Sequence, residues 1–493
     1  MIMKNSSLSV DTEKLRKKIL DLAMRGKLVP QDSQDEPASV LLEKIKEEKA
    51  QLIKEKKIKK SKPLPEITEE EKPFEIPESW EWVRLENVAS SIGDGLHGTP
   101  KYDKNGEIPF INGSNLKNDK ITITDNTKYI NDEEYRKIYV NLNQSTILMS
   151  LNGTLGNLAK YRSNEKISLG KSAGYISLIT KDIYDFVYIS LKSPMFKAYY
   201  SKKATRTTIK NISLKDIRST PIPLPPLAEQ KRIVAKVEEC MQAIKTIEDS
   251  SKEYEKLENQ LDKKVLDLAM RGKLVPQDSQ DEPASTLLEK IKEEKAQLIK
   301  EKKIKKSKPL PEITEEEKPF EIPESWEWVR LGENIQIDRG GSPRPIKSYL
   351  TDDENGINWI KIGDTKENSK YITSTKEKII PEGLKKTRLV NKGDFLLSNS
   401  MSFGRPYILK IDGAIHDGWL VISDFVSMLD NDFLYYLLSS KVIKDQFARL
   451  ATGSTVKNLN KDRVSRVIIP LPPLAEQKRI VAKIEEIKQY LEI

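Results

Sequence analysis

Few side chains in this sequence could do chemistry, and their spacing argues against a reaction carried out on this chain. Gly93-Asp94-Gly95-Leu96-His97-Gly98 fits the GxGxxG spacing of a dinucleotide site. That motif must open a helix, so that free amides and the helix N-terminus meet the pyrophosphate, yet Thr99-Pro100 follows at once. Gly170-Lys171-Ser172 matches the end of a phosphate-binding loop, but Glu165 stands where its first glycine is required. His416-Asp417 has no accompanying nucleophile, so a hydrogen-bonded turn or a ligand contact is the simpler reading. Cys240 is the single cysteine, which forbids an internal disulfide. With only His97 and His416 beside it, a zinc site lacks ligands. Acid-x-lysine triplets are too common in a chain that is 32% charged to mark a nuclease.

The elements that carry these residues are better defined than any catalytic group. At 493 residues the chain exceeds what one hydrophobic core serves. No apolar run approaches the ~20 residues of a membrane helix, and Met1 to Val10 lacks a signal-peptide core, which predicts a cytoplasmic protein. Lysine plus arginine exceed aspartate plus glutamate by 84 to 75, and the excess is local. Glu86 to Thr220 carries 20 basic and 13 acidic side chains, and Gly332 to Val467 carries 21 and 17. A phosphate backbone would be met there.

Self-similarity is the strongest signal. Leu20 to Leu85 recurs as Leu266 to Leu331, differing only at Val40 against Thr286. Pro223 to Glu239, PLPPLAEQKRIVAKVEE, recurs as Pro470 to Glu486 with one change, Val237 against Ile484. Leu227 to Gly272 reads as one long helix, its seam formed by Val237, Cys240, Ile244, Ile247, Ser251, Tyr254, Leu261, Val265 and Leu268 and broken at Glu258. The matching helix in the other repeat is divided between Leu474 to Ile493 and Met1 to Gly26, which predicts that the chain ends meet and pack antiparallel to the long helix. A second helix is expected over Ala38 to Lys60, with its copy over Ala284 to Lys306. The proline-punctuated stretch that follows reads as an extended linker, anchored by Trp80 and Trp82 in one copy and by Trp326 and Trp328 in the other.

The two segments between the repeats differ over most of their length but share a skeleton. Gly98-Thr99-Pro100-Lys101 matches Gly341-Ser342-Pro343-Arg344, and Ser150 with Gly156 matches Ser398 with Gly404. A helix near Tyr184 to Ala204 matches one near Asn431 to Ala451, and each runs into a polar loop, Thr205 to Asn211 against Thr452 to Asn458. Alternating β-branched runs at Ile121 to Ile130 and Leu420 to Phe425 make each segment mixed α/β. Equivalent scaffold halves predict equivalent docking surfaces, and unlike segments predict unlike reading faces.

IPESWEWVRL before each variable segment and PLPPLAEQKRIV after it, both present twice, resemble the conserved regions of type I restriction-modification specificity subunits over nearly the whole chain. The length and near-identity of the repeats depart from what that family need show. The resemblance implies a non-catalytic chain. Such subunits join two modification subunits to form an N6-adenine DNA methyltransferase, and two restriction subunits, where present, complete an ATP-dependent endonuclease. S-adenosylmethionine is then expected on the modification subunits and ATP with magnesium on the restriction subunits, with no cofactor on this chain. No (D/N)PP(Y/F) methyltransferase motif occurs here, so a flipped adenine falls to a partner.

The expected fold is α+β, with two mixed α/β target-recognition domains separated by a long antiparallel helical (coiled-coil) scaffold in a pseudo-twofold circular organisation. Residues 1–85 would hold scaffold helices and a linker, 86–220 the first recognition domain, and 221–331 the central helix, second helix and linker. The second recognition domain would occupy 332–469 and the closing scaffold helix 470–493. In this reading double-stranded DNA is met by polar loops. They supply Thr99, Lys101, Asn152, Thr154, Thr207, Lys210 and Asn211 in the first domain. In the second they supply Arg339, Ser342, Arg344, Asn399, Ser402, Arg405, Ser454, Lys457 and Asn458. The other class these residues allow is a coiled-coil scaffold with two variable peptide- or glycan-binding domains, whose binding would be insensitive to salt.

Overall fold

The computed structural model describes residues 10–491 apart from 154, 162–165, 205–210, 303–308, 367–368, 400–403, 425–428 and 452–458. The chain divides into two compact units, Ser9–Ser251 and one built around Lys252–Ile493. One helix, Leu227–Met270, contributes its first part to the first unit and its last part to the second. Among the described residues no helix is long and apolar enough to cross a membrane.

In the first unit, helix Thr12–Met24 begins where the Asp11 carboxylate accepts from the Lys14 amide at 2.9 Å. It ends at Gly26, whose φ of 65° lets the Lys27 amide reach back to the Leu22 carbonyl at 2.9 Å. Leu20, Ala23 and Met24 bury against Ile233 and Val237 of the long helix, together with Trp80, Phe186 and Ile189. Arg16 pairs with Glu248 at 2.5 Å while the turn after the helix reaches Glu229 through Gln31, so the two helices run antiparallel. The second unit repeats this packing with the other end of the long helix. Val265, Ala269 and Met270 join Ile480 and Ile484 of helix Leu474–Leu491 in one core.

Three charged side chains of the two repeated blocks tie each scaffold half to its variable domain. Buried Glu229 accepts from the Trp80 indole at 2.9 Å and from the Gln31 amide at 2.5 Å. Burial raises its carboxyl above the usual range, against the pull of these two donors. Arg232 grips Asp35 with two bonds of 2.6 and 3.1 Å. The second unit repeats both, with Glu476 between Trp326 and Gln277 at 2.8 and 2.5 Å and Arg479 on Asp281 at 2.6 and 3.1 Å. Arg84, 4% exposed, makes two bonds of 2.8 Å to Glu71 and reaches the carbonyls of Pro65, Glu66 and Ser219. Arg330 does the same with Glu317, Pro311, Glu312 and Arg466. Each proline-rich linker is thereby tied to the base of its variable domain. There strand Glu81–Arg84 pairs antiparallel with Pro221–Leu224, and Glu327–Arg330 pairs with Ile468–Leu471. Trp80 is buried in this joint, and Trp82 is half-buried against Phe74.

The first variable domain is built on a four-stranded sheet ordered Ala89–Asp94, Ala173–Leu178, Thr146–Ser150, Leu158–Lys160. Beside it lies a three-stranded sheet of Lys128–Ile130, Ile108–Ile111 and Ser168–Leu169. The second domain keeps the main order with Ile335–Arg339, Trp419–Asp424, Phe395–Ser398 and Pro406–Leu409, and adds Tyr371–Ile372 at the edge. Its other sheet grows to five strands.

Three elements differ from the sequence expectation, the first being the run Ile121 to Ile130, of which only the ends are strand, in Lys120–Ile121 and Lys128–Ile130. The second scaffold helix ends at Lys54, not Lys60: residues 54–57 are exposed, so continuing it would bury no apolar surface, and Lys56 turns it off in the left-handed region at φ 57°. The single helix expected in each variable domain is two, Tyr184–Lys192 then Pro194–Lys203, and Asn431–Ser439 then Lys441–Leu450. The extended backbone at Ser193 and Ser440 breaks them, with Pro194 at a first-turn position in the first case.

Trp80→Phe removes the donor to a buried carboxylate oxygen and is expected to destabilise the first unit by about 1–3 kcal/mol. Trp326→Phe should do the same to the second, with additive effects in the double variant when denaturant unfolding is followed. Arg84 hydrogen bonding holds the Glu71 carboxyl at about 2. Its contribution to stability is therefore complete above the ordinary carboxyl range and is lost as pH falls towards 2. Glu71→Gln is expected to lower stability at neutral pH and to flatten the acid limb of the stability curve, measured by urea midpoints between pH 2 and 7.

Candidate nucleic-acid interface

Strand direction gathers the polar loops of each domain at one end of its main sheet. In the first domain, strands Ala89–Asp94 and Thr146–Ser150 both end there, and the antiparallel strand Ala173–Leu178 between them begins there. Gly95 follows the first, and a Cβ at that position would lie 2.0 Å from the Leu169 carbonyl oxygen, so only glycine lets the chain pass. Beyond the second strand, the Ser150 to Gly156 turn closes with the Gly156 amide on the Ser150 carbonyl at 3.0 Å, Gly156 standing at φ 77°. Its counterpart closes from Gly404, at φ 75°, to Ser398 at 2.7 Å. The six-residue spacing shared by the two domains is this turn.

The turn is held in a layer of backbone bonds. The Leu151 amide donates to Ser172 at 3.0 Å, the Ile212 amide donates to Leu151 at 3.1 Å, and Asn152 bridges Asn211. Asn152 and Asn211 are thus brought together from positions far apart in sequence. Thr99 and Lys101 lie further along the loop that starts at Gly95. Both are exposed, and the Lys101 amide donates to Glu134 at 3.0 Å. Thr154, Thr207 and Lys210 lie outside the described residues.

The second domain centres its loops on Asp417. Its carbonyl accepts from Arg339 Nε at 3.0 Å and Asn399 Nδ2 at 2.9 Å, and its carboxylate accepts from the Ser342 hydroxyl at 2.8 Å. Although burial opposes it, the Ser342 hydroxyl with His416 and Arg339 nearby lowers the Asp417 carboxyl below its ordinary range. His416 Nδ1 accepts from the Gly418 amide at 2.8 Å, and burial lowers its basicity. Among the described residues Asn399 Oδ1 is buried without a hydrogen-bond partner. Three predicted residues, Arg339, Ser342 and Asn399, therefore meet on one turn. Arg344 and Arg405 are exposed on adjoining loops, whereas Ser402, Ser454, Lys457 and Asn458 lie outside the described residues.

Sequence reasoning set aside two short motifs that the structure places in these loops. Gly170-Lys171-Ser172 joins two strands, with the Ser172 hydroxyl accepting from the Gly113 amide at 2.9 Å and donating to Asn112 Oδ1 at 3.1 Å. The GxGxxG run begins in a strand, is followed by another strand and opens no helix. His416-Asp417 occupies the place equivalent to Gly170-Lys171, and Gly418 stands where Ser172 does, just before the central strand. Asn112 and Ser172 were missed as members of the loop layer, whereas the hydrogen-bonded turn read at His416-Asp417 is the hub of the second domain's loops. Only the pairing of strands distant in sequence reveals it, because the two domains share no residue type there.

A family model described as the type I restriction modification DNA specificity domain matches residues 77–258 and 323–493. The chain is 32% identical to the type I restriction enzyme EcoAI specificity subunit of Escherichia coli, over 97% of this chain and 89% of that one. It is 30% identical to the EcoEI specificity subunit of the same organism, over 96% and 88%. Among solved structures, the HsdS subunit from Thermoanaerobacter tengcongensis shares the fold at a TM-score of 0.51, with 21% identity over 85% of this chain and 92% of that one. A chain from a structure titled for complex assembly and conformational transition of the type I R-M system gives 0.56, with 22% identity over the same shares. On the matched residues and on this identity over nearly its full length, the chain belongs to the specificity subunits of type I restriction-modification systems.

Proposed function

We propose that this subunit reads an asymmetric, two-part DNA target, one part with each variable domain, and docks two modification subunits on equivalent scaffold surfaces. The observation that carries the reading is two unlike loop layers at the same end of the same sheet order, each mounted on the same carboxylate, tryptophan and arginine joints. Identical joints suit two copies of one partner, and unlike loops suit two unlike half-sites.

Both variable domains carry net positive charge, which favours the phosphate backbone, while the polar loops offer donors and acceptors to base edges. The repeat further supports a circular, pseudo-twofold body in which helices Thr12–Met24 and Leu474–Leu491 together match one antiparallel partner of the long helix. Half-sites would then be read in opposite senses roughly one helical turn, ~34 Å, apart. In this reading chemistry belongs to the partners, with S-adenosylmethionine on the modification subunits and ATP with magnesium on any restriction subunits. The assembly works on DNA in the cytoplasm, and this chain supplies the address.

Titrating the assembled methyltransferase with random duplexes at rising salt should show affinity falling steeply, since each neutralised phosphate releases counterions. Salt-insensitive binding would favour a peptide- or glycan-binding scaffold instead. Mapping methylated adenines across the genome of a host carrying this gene should yield one split motif with two unlike halves. Arg344→Ala is expected to relax one position of one half at a cost of about 1–3 kcal/mol, whereas Lys101→Ala should weaken binding evenly across sequences. A single undivided motif would overturn the proposal.

A further inference from the structure

One backbone position carries opposite charge in the two variable domains. Asp119 and Lys370 each precede or begin an edge segment whose carbonyl accepts from the strand after the six-residue turn, from the Lys160 amide at 3.3 Å and from the Ile408 amide at 3.0 Å. Asp119 satisfies itself inside its own domain, accepting from the Tyr188 hydroxyl at 2.7 Å and pairing with Lys192 at 2.5 Å. Lys370 pairs within its domain and also reaches out of it. Its ammonium lies 2.7 Å from Asp432 and 3.1 Å from Glu485, which projects from scaffold helix Leu474–Leu491.

The contact is more than a surface ion pair. The Lys370 side chain is 14% exposed and sits 4.9 Å from the ring centre of Tyr436, whose hydroxyl donates to the same Glu485 oxygen at 2.5 Å. Lys488, one turn further along the helix, lies 5.2 Å from the same ring centre. A lysine shared between two carboxylates and an aromatic face has little freedom to exchange partners. In the first unit the same scaffold position is Glu238, within the repeated block. It is exposed, and among the described residues it makes no hydrogen bond or ion pair. Ile189 stands where Tyr436 does and packs into the helix core.

The structure assigns Glu238 and Glu485 as the two halves of a duplicated latch that a variable domain engages only when it carries a cation at this edge position. The second domain is latched to its scaffold helix through Lys370 and Tyr436, whereas at the matching place the first meets its helix through apolar Ile189. Lys370 and Glu485 are thus positioning residues: they fix the angle at which the second domain presents its loops without touching the ligand. The consequence for DNA rests on the proposed two-part target, since a fixed angle on one side sets how strictly the spacing between half-sites is enforced.

The latch is testable in the full chain by pulsed electron paramagnetic resonance. In a Cys240→Ser background, spin labels go on Lys347→Cys and Ala482→Cys, which report the second domain against its helix, or on Lys128→Cys and Ala235→Cys for the first. Lys370→Met and Glu485→Gln are each expected to replace a narrow Lys347/Ala482 distance distribution with a broad one, while Glu238→Gln leaves the first pair unchanged. Thermal unfolding confirms the fold, and Glu485→Gln, on a partly exposed helix face, carries the test if Lys370→Met does not fold. A distribution as narrow as wild type in Glu485→Gln, or equal broadening of the first pair by Glu238→Gln, overturns the latch. In the methyltransferase assembly, the preference for one spacer over spacers a base pair longer or shorter should fall about tenfold, the scale of one coupled contact. Loss of the split motif in the wild type would remove the proposed function, yet the distance measurement would still decide the latch.

Discussion

A buried carboxylate needs donors, and the scaffold of this protein is arranged around giving Glu229 and Glu476 theirs. Each takes an indole N–H from the linker and an amide from the turn after a helix, so three separate stretches of chain converge on one charged group. Leaving either oxygen without a partner in that setting would cost more than the bonds themselves contribute. The linker is therefore committed to one path, and the path ends at the paired strands from which the variable domain grows. Arg84 and Arg330 secure the other side of that neck by filling carbonyl acceptors that no regular element would satisfy.

Fixing the base this firmly leaves the distal end of each sheet free to vary. The order of the main strands and the glycine turn at Gly156 and Gly404 are common to both domains, while the residues carried on the loops are not. Where the first domain ties its loop layer with Asn112 and Ser172, the second uses Asp417 as a hub for Arg339, Ser342 and Asn399. Separating a rigid mount from a replaceable surface lets the loops change without disturbing the joints beneath them. The latch at Lys370 adds an asymmetry, because a domain can also differ in how tightly it is braced.

Much of this was legible before any coordinates. The repeated blocks located the scaffold, the long helix was read to within two residues of its end at Met270, and Trp80 and Trp326 were recognised as anchors. The readings that changed were local. The second scaffold helix was extended through a lysine run because helix propensity alone favours it, and the break at Ser193 and Ser440 was hidden because the apolar pattern continues across both serines. Of the predicted contact residues, Arg339, Ser342, Asn399, Asn152 and Asn211 are drawn into loop layers, and Thr99, Lys101, Arg344 and Arg405 are exposed on loops.

By itself, then, the sequence determined the family, the duplication, the helical scaffold and the bounds of two unlike segments between the repeats, because repeats and hydrophobic spacing are properties of order along the chain. Only the tertiary structure decided which residues share a loop layer, why Glu229 and Arg84 must stay what they are, and that Lys370 reaches a helix 115 positions away. Those are contacts between distant segments. A charge in a sequence does not reveal its partner until the strands between them have been paired.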